Sequence, residues 1–299
     1  MPPERSARPR RWPRVRLSRR LLGSFDRHRP SRASRRLTRH FANGGDPVVL
    51  TDQHDVRFVL YPWDLDSLDE LLSKSFYAPD FRAIERLLKP GDTAVDVGAN
   101  IGSHSIMMSR RVGDQGRVYA FEPVARTAWL MRENLALNRA SNVRLFDAAV
   151  SESPGTVEMH LYDQRYSAWN SIGSANFDGI EPIETVEVTA ECLDHAMHEL
   201  SVSRIHFLKI DVEGFEIDVL RGARRLLTTG SVDYLSFEIS EIPLRASGHT
   251  AKEAFELLGS LGYECYKFDF DAAAFVGPFH DSDDFYVNFY ASRQDLRLL

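Results

Sequence analysis

Three acids stand at the ends of short apolar runs: Asp96 in DTAVDVGANIGSHS (92–105), Glu122 in GRVYAFEP and Asp147 in VRLFDAAVS. The first run breaks into Gly98, Asn100 and Gly102, glycines that remove Cβ atoms where a backbone turns tightly and approaches a ligand. In dinucleotide folds such a strand-to-helix turn holds pyrophosphate against helical N–H groups through GxGxxG. Here the pattern is GxNxG with Asp96 two residues ahead of it, and a carboxylate at that point repels phosphate. It suits a cofactor whose tail carries a cationic ammonium group and no phosphate. Glu122 follows Gly102 by twenty residues, where an acid accepts hydrogen bonds from ribose hydroxyls. Capping of a helix ahead of Pro123 is the plainer role for Glu122, and it explains the spacing less well. Asp147, at the end of the third run, is placed for an adenine amino group. Together the three acids describe an adenosine with a positively charged, phosphate-free tail.

Those acids need a sheet to hold them. Apolar runs at 93–97, 117–121, 143–149, 205–210 and 234–239 read as strands, and helical patterns fall at 103–111, 125–138, 215–227 and 251–261. Short apolar strands alternating with amphipathic helices predict a parallel sheet covered on both faces. YECYKFDF and DFYVNFYA read as a closing pair of strands joined by a loop with Gly277 and Pro278. Upstream, PVVLTDQHDVRFVLY predicts a hairpin, and 64–74 and 80–88 read as helices opened by acidic caps. The stretch TVEMHLY, a polar and aromatic segment near 163–182, and ETVEVTA read as two strands around a substrate-loop insertion. The expected division is an Arg-rich arm at 1–40, a hairpin and helices at 41–90, and a main domain at 91–299.

The chain resembles the class I S-adenosylmethionine-dependent methyltransferases and, more narrowly, the FkbM family. DVGANIGSHS, GRVYAFEP, NLALN and AAVS are followed by ECLDH and by IHFLKIDVEGFEIDVLRGA, the family's most distinctive segment. The resemblance covers about residues 85–240. It implies a Rossmann-like α/β fold, a mostly parallel seven-stranded sheet with helices on both faces and an antiparallel last strand. It also implies methyl transfer from S-adenosyl-L-methionine to a hydroxyl of a sugar, glycolipid or secondary metabolite.

Carried over by position, Asp96, Gly98, Ala99, Asn100 and Gly102 would form the methionine-side turn. Glu122 with Pro123 would take the ribose, and Asp147 with Ala148 the adenine edge. Lys209, Asp211 and Glu213 would fall at the fourth strand's end, facing the methyl group, with Asp211 also touching the cofactor. Asp211 is the first candidate for taking the hydroxyl proton. Glu213 alternates with it along a strand end, so the two are expected not to share the site. His104 ranks below Asp211 as a base, because a histidine opening a helix is more often a surface residue. His249 is expected in a loop before a helix and His195 on a helix face. Trp169, Asn170, Ser171 and Glu238 are the expected acceptor-side residues. Glu238 and Asp211 could hold a divalent cation, but carboxylates without histidine spacing are weak grounds, and the assignment is no metal.

Charge divides the chain. Residues 1–40 hold fourteen Arg against Glu4 and Asp26, giving +12, while the remainder carries 23 basic and 41 acidic residues, giving −18. An acidic catalytic domain without an NPPY-like base-flipping segment disfavours methylation of nucleic acid or protein, the nearest alternative. GxNxG beside Asp96, with no Tyr-x-x-x-Lys dyad, disfavours an NAD-dependent oxidoreductase. The arm reads as a solvated tail, with weak contact to a membrane surface or an acidic partner as its functional reading. Cys192 and Cys265 fit neither a disulfide framework nor a zinc site. No run is apolar enough for a membrane span or a secretory signal, and the expectation is a cytoplasmic enzyme.

Overall fold

The computed structural model describes residues 46–51, 55–61, 79–162, 182–282 and 286–299, with 14–16, 40 and 171–172. The helix expected at 64–74, and Trp169 and Asn170, lie outside the described residues, and Ser171 is described as backbone alone.

Strands β1 (Arg14–Arg16), β2 (Val48–Thr51) and β3 (Arg57–Leu60) form a small sheet, with β2 and β3 the expected hairpin. The solvated-tail reading of the arm needs one correction. Arg14–Arg16 pairs parallel with β2, whose outer edge offers unpaired backbone groups to any extended segment.

Strands β4 (Thr93–Val97), β5 (Arg117–Phe121) and β6 (Val143–Phe146) open the main sheet. A four-stranded sheet follows, of β7 (Ala149–Ser151), β8 (Gly155–Leu161), β9 (Ser171–Ile172) and β10 (Glu184–Cys192), in the order β7-β10-β8-β9. The main sheet resumes with β11 (Ile205–Ile210), β12 (Val232–Ser240), β13 (Glu264–Asp269), β14 (Ala274–Phe279) and β15 (Tyr286–Ser292). Its order is β14-β13-β15-β12-β11-β4-β5-β6. The five strands from β6 to β12 are parallel, and β15 enters antiparallel between β12 and β13. The seven expected strands are therefore present with an antiparallel last strand. The loop expected around Gly277 and Pro278 is instead an eighth, edge strand: β14 pairs with β13 around a β-bulge.

The helices are α1 (Pro79–Leu87), α2 (Ser103–Val112), α3 (Ala125–Asn138), α4 (Leu193–Glu199), α5 (Glu216–Gly222), α6 (Arg224–Thr228), α7 (Glu241–Ala246) and α8 (Ala251–Ser260). Residues from α1, α2 and α3 pack with Ala94, Val118, Phe207 and Tyr290 on one face of the main sheet. Residues from α4, α5, α6, α7 and α8 pack with Val95, Val97, Leu208, Ile210, Leu235 and Phe289 on the other. Each fully buried large side chain contributes about 1.5–3 kcal/mol. The single helix expected at 215–227 is broken at Ala223, where α5 ends and α6 begins. Among the described residues, no helix is long and apolar enough to cross a membrane.

The NLALN segment shows why the hairpin stays on the main domain. Asn134 Oδ1 accepts the Val59 N–H at 2.8 Å, and its Nδ2 donates to the Ile101 carbonyl at 2.9 Å. Asn138 Oδ1 accepts the Arg57 N–H at 2.9 Å, and its Nδ2 returns a bond to the Arg57 carbonyl at 2.6 Å. Both asparagines spend side-chain amides on backbone groups that the edge of β3 would otherwise leave unpaired.

Candidate active site

The chain reverses its direction of progress across the sheet between β4 and β11, and ligands of open α/β sheets bind at such a switch point, beyond the carboxyl ends of the strands. Register places Asp96 beside Lys209, Lys209 beside Ser236, Ser236 beside Tyr290, and Glu238 beside Asn288. Registered neighbours share a face, so these polar residues line the side covered by α1 and α2. The opposite face at the same strands is apolar throughout.

Asp96, expected at the methionine-side turn, lies beneath that turn, where β4 meets α2. It is fully buried, and its Oδ2 accepts the Ser105 hydroxyl at 2.5 Å. Its other oxygen lies 3.8 Å from Lys209 Nζ. Burial raises its pKa, against the opposing pull of Lys209 and the hydrogen bonds from Ser105. Asp96 therefore occupies the inside of the α2 N-terminus, the place where a phosphate would otherwise bind.

The two turn glycines stand where backbone and side chains approach closely. A Cβ on Gly98 would lie 1.7 Å from the Asp211 carbonyl oxygen, and one on Gly102 would lie 2.9 Å from Met131 Cγ. Both serve close packing, of β4 on the β11 turn and of α2 on α3. Ala99 is buried, and Asn100 adopts a left-handed φ of 49°.

Glu122 shapes this turn directly. Its Oε2 accepts the Asn100 N–H at 3.0 Å and its Oε1 accepts the Val124 N–H at 2.9 Å. Burial is the main cause that raises its pKa to about 7, the two backbone bonds opposing. The half-buried Pro123 continues the chain into α3. Phe121 and Phe146 stack at 4.9 Å and fix the ends of β5 and β6, from which Glu122 and Asp147 emerge. The strand expected at 143–149 stops at Phe146, which frees Asp147 from the ladder. Asp147 is half exposed and paired with Arg132, and Ala148 beside it is buried.

On the β11 side Lys209 is a buried charge hub. Its Nζ donates to Asp211 Oδ2 at 2.8 Å. Burial by itself would lower its pKa, but Asp211, Asp96 and Glu238 outweigh that and raise it. The ammonium stays charged, so Lys209 holds acids in place and takes no proton. The expectation that Asp211 and Glu213 would not share the site is overturned. Asp211, Glu213 and Glu238 each bring a carboxylate oxygen within 4.8 Å of the others. Strand alternation ends with β11 at Ile210, and Glu213 turns back through a left-handed φ of 53°. A divalent cation could fit that spacing, but the Lys209 ammonium already supplies positive charge there.

Sequence reasoning missed two further acids. Asp80, on α1, accepts from Tyr290 Oη at 2.5 Å and from Asn288 Nδ2 at 2.9 Å. Burial raises its pKa against those bonds and the nearby Lys209. Glu216, at the start of α5, is buried and binds the backbone of the preceding loop. No local signal distinguishes either from an ordinary acid in a helix's first turn. His104 packs tilted against Phe81 with ring centroids 5.1 Å apart, and its Nε2 is shut from solvent without a hydrogen-bond partner. Burial, then the Lys209 charge, hold its pKa well below an ordinary histidine's, so the ring is neutral. It is not the helix-surface residue expected. His195 is exposed on α4, and His249 precedes α8 between Asp218 and Glu253, both as expected. Cys265 is buried and Cys192 half-buried, both as free thiols.

Glu122 and Glu216 give the fold a pH signature. Each has a pKa of about 7 in the folded chain against an ordinary glutamate value of 4.5. The folded state therefore holds those protons more tightly, and stability falls as pH rises from 4.5 to about 7. Thermal melts across that window should show a declining midpoint, and Glu122→Gln should flatten part of the decline. A midpoint that climbs throughout the window would contradict this assignment.

The profile of the Methyltransferase FkbM domain matches residues 96–265, more than half of the chain. The chain belongs to the FkbM methyltransferase family. Among its curated relatives, 2-O-methyltransferase NoeI of Sinorhizobium fredii is 29% identical over 54% of this chain and 72% of its own length. Methyltransferase sdnD of Sordaria araneosa is 31% identical over 43% of this chain and 59% of its own. The 31-O-demethyl-FK506 methyltransferase FkbM of Streptomyces tacrolimicus is 29% identical over 45% and 60%. The chain thus spans under two thirds of the latter two.

Proposed function

We propose that this FkbM-family chain transfers a methyl group from S-adenosyl-L-methionine to a hydroxyl oxygen of a small-molecule or glycan acceptor. The observation that carries the reading is the pair of sites at the β4/β11 switch point. Glu122 organises the turn on one side, and three converging carboxylates, one of them bound by Lys209, stand on the other. The donor set fits the cofactor: acids flank the turn, and Asp96 fills the α2 N-terminus, which would otherwise favour a phosphate. When bound, S-adenosylmethionine supplies an electrophilic methyl group on a sulfonium.

Glu122 would accept the ribose hydroxyls on lone pairs its two backbone donors leave open, with Pro123 beside it. Asp147 and Ala148 would flank the adenine, and Asn100 and Ala99 the methionine side. Asp211, Glu213 and Glu238 face the acceptor and supply the negative potential into which its hydroxyl proton is released. Methyl transfer removes the sulfonium charge and leaves a proton, so an acidic pocket compensated by one lysine keeps its charge balance. Trp169, Asn170 and Ser171, in the insertion near 163–182, would shape the acceptor pocket. The methyltransferase domain would span 91–299, with 41–90 packed against it and the arm at 1–40 serving at most as an electrostatic tether. Relatives named for O-methylation support the choice of oxygen.

Calorimetric titration with S-adenosylhomocysteine, with NAD as the comparison, tests the reading. Glu122 is largely protonated below its pKa of about 7, and hydroxyl donors favour the ionised form. Binding should release a proton, with affinity rising by up to tenfold per pH unit below 7 and levelling above. Glu122→Gln should weaken binding and abolish the slope. Binding of NAD in place of S-adenosylhomocysteine would overturn the reading.

A further inference from the structure

The three carboxylates facing the acceptor converge because of a loop that does not hold its own shape. Beyond β11, Asp211 keeps one ladder bond, its N–H donating to the Val97 carbonyl at 3.1 Å. Glu213 then enters the left-handed region at φ 53°, followed by Gly214 at φ 104°. Gly214 is pressed against α7, where a Cβ would lie 2.5 Å from the Pro243 carbonyl carbon and oxygen. This path turns the Val212 and Gly214 N–H groups inward, away from any ladder partner. A single atom receives both: Glu216 Oε1 accepts from Val212 N and from Gly214 N, each at 3.2 Å.

Glu216 is 1% exposed, and its second oxygen, Oε2, is buried with no hydrogen-bond partner. An ordinary capping glutamate sits at the third helical position and reaches back to the N-cap N–H. Glu216 is the first residue of α5, and its carboxylate reaches the loop ahead of the N-cap residue Phe215. Removing its carboxylate would leave two backbone donors without an acceptor, at about 1–3 kcal/mol each. The loop would escape by rotating at Glu213, which carries the carboxylate away from Asp211 and Glu238. Such movement reaches the cofactor side too, because the Asp211 carbonyl fills the space beside Gly98.

We infer that Glu216 is a positioning residue of the methyl-transfer site, its carboxylate oxygen setting the 211–214 loop and thereby the acid cluster and the Gly98 turn. The inference rests on the methyltransferase reading. Glutamine at 216 keeps an acceptor oxygen of the same reach, aspartate falls short by one methylene, and alanine has nothing to offer.

The test pairs titration of S-adenosylhomocysteine with amide NMR on the full chain. Glu216→Ala and Glu216→Asp should each weaken binding at least tenfold, and Glu216→Gln should restore it to within about threefold of wild type. A merely space-filling residue would not give this order. In wild type the Val212 and Gly214 amide resonances should shift together with a midpoint near the Glu216 pKa of about 7. The shift should vanish in Glu216→Gln and survive in Glu122→Gln. Asp211 is the charged group facing Glu216 across the loop, and Asp211→Asn should move the midpoint down without removing it. Wild-type affinity in Glu216→Ala, or a glutamine variant as weak as alanine, would overturn the inference; if alanine does not fold, the aspartate and glutamine pair decides. Wild type that binds no S-adenosylhomocysteine would instead defeat the methyltransferase reading. The two amides would then still judge Glu216, and failure to titrate together would overturn its role in the loop.

Discussion

Lys209→Met should lower the melting temperature by on the order of 10 °C, and the deficit should be larger at pH 8 than at pH 5. Methionine is close to lysine in shape, so little cavity forms and the loss is electrostatic. The ammonium is 2.8 Å from Asp211 and 3.8 Å from Asp96, which has no solvent contact. Breaking a buried pair by deleting one partner costs about 3–5 kcal/mol, because the other charge stays behind. In a chain of this size each kcal/mol moves the midpoint by roughly 2–4 °C. The pH dependence follows from the acids. Burial already raises the Asp96 pKa while Lys209 opposes it, so removing Lys209 raises it further. An acid with a raised folded pKa loses stability as pH climbs from its ordinary value to the folded one. Lowering the pH towards 5 lets the stranded Asp96 carboxyl take up its proton more readily and recovers part of the deficit; at pH 8 its charge stays buried. Methyl transfer should fall at both values, since Asp211 loses the partner that orients it. Melts in the two buffers decide the matter, and equal deficits would mean that Lys209 is a packing residue rather than a counter-ion.

The sequence made the sheet legible where each strand is a short apolar run ending at an acid or glycine. The main-sheet strands Thr93–Val97, Arg117–Phe121 and Ile205–Ile210 begin and end where the pattern places them. Buried parallel strands are read easily because both faces demand apolar residues. The edge strand Ala274–Phe279 was hidden because Gly277 and Pro278 are ordinarily loop residues, and an edge position tolerates both. At the site, the types and order of the acids were readable but their division of labour was not. Asp96 and Glu122 look alike in sequence, each ending an apolar run before a turn. One is sealed beneath Ser105, and the other binds the backbone of the turn it borders. Asp80 reaches the site only because Asn288 and Tyr290, more than two hundred residues later, meet it across the sheet. That pairing depends on β15 inserting next to β12, and no local pattern carries it. Glu213 was misjudged because period-two alternation was continued past the end of the strand.

The same limit applies to Gly98, and Gly98→Ala should be the most damaging alanine substitution among the described glycines. Two costs coincide at this position. Gly98 has φ 76°, a left-handed conformation that strains alanine by about 1–3 kcal/mol. The new Cβ would also lie 1.7 Å from the Asp211 carbonyl oxygen and 2.8 Å from its carbon. Neither backbone can give way without breaking a ladder bond. The Gly98 N–H donates to the Phe121 carbonyl and the Asp211 N–H to the Val97 carbonyl, both at 3.1 Å. Overpacking of a rigid core adds about 1–3 kcal/mol more, so the two costs reach about 2–6 kcal/mol against the 5–15 that a typical domain holds. Gly91→Ala is the control, because it shares a left-handed φ, 90°, with nothing within 4 Å of the added methyl. Gly91→Ala should therefore show the backbone strain alone, a few degrees in melting temperature, with S-adenosylhomocysteine affinity intact. Gly98→Ala should lose about twice as many degrees and bind S-adenosylhomocysteine at least a hundredfold more weakly. It forces apart β4 and the loop after β11, the two sides of the proposed cofactor site. If the two variants melt together, the glycine is present for its φ alone, and the β4/β11 contact at this point is looser than the structure has it.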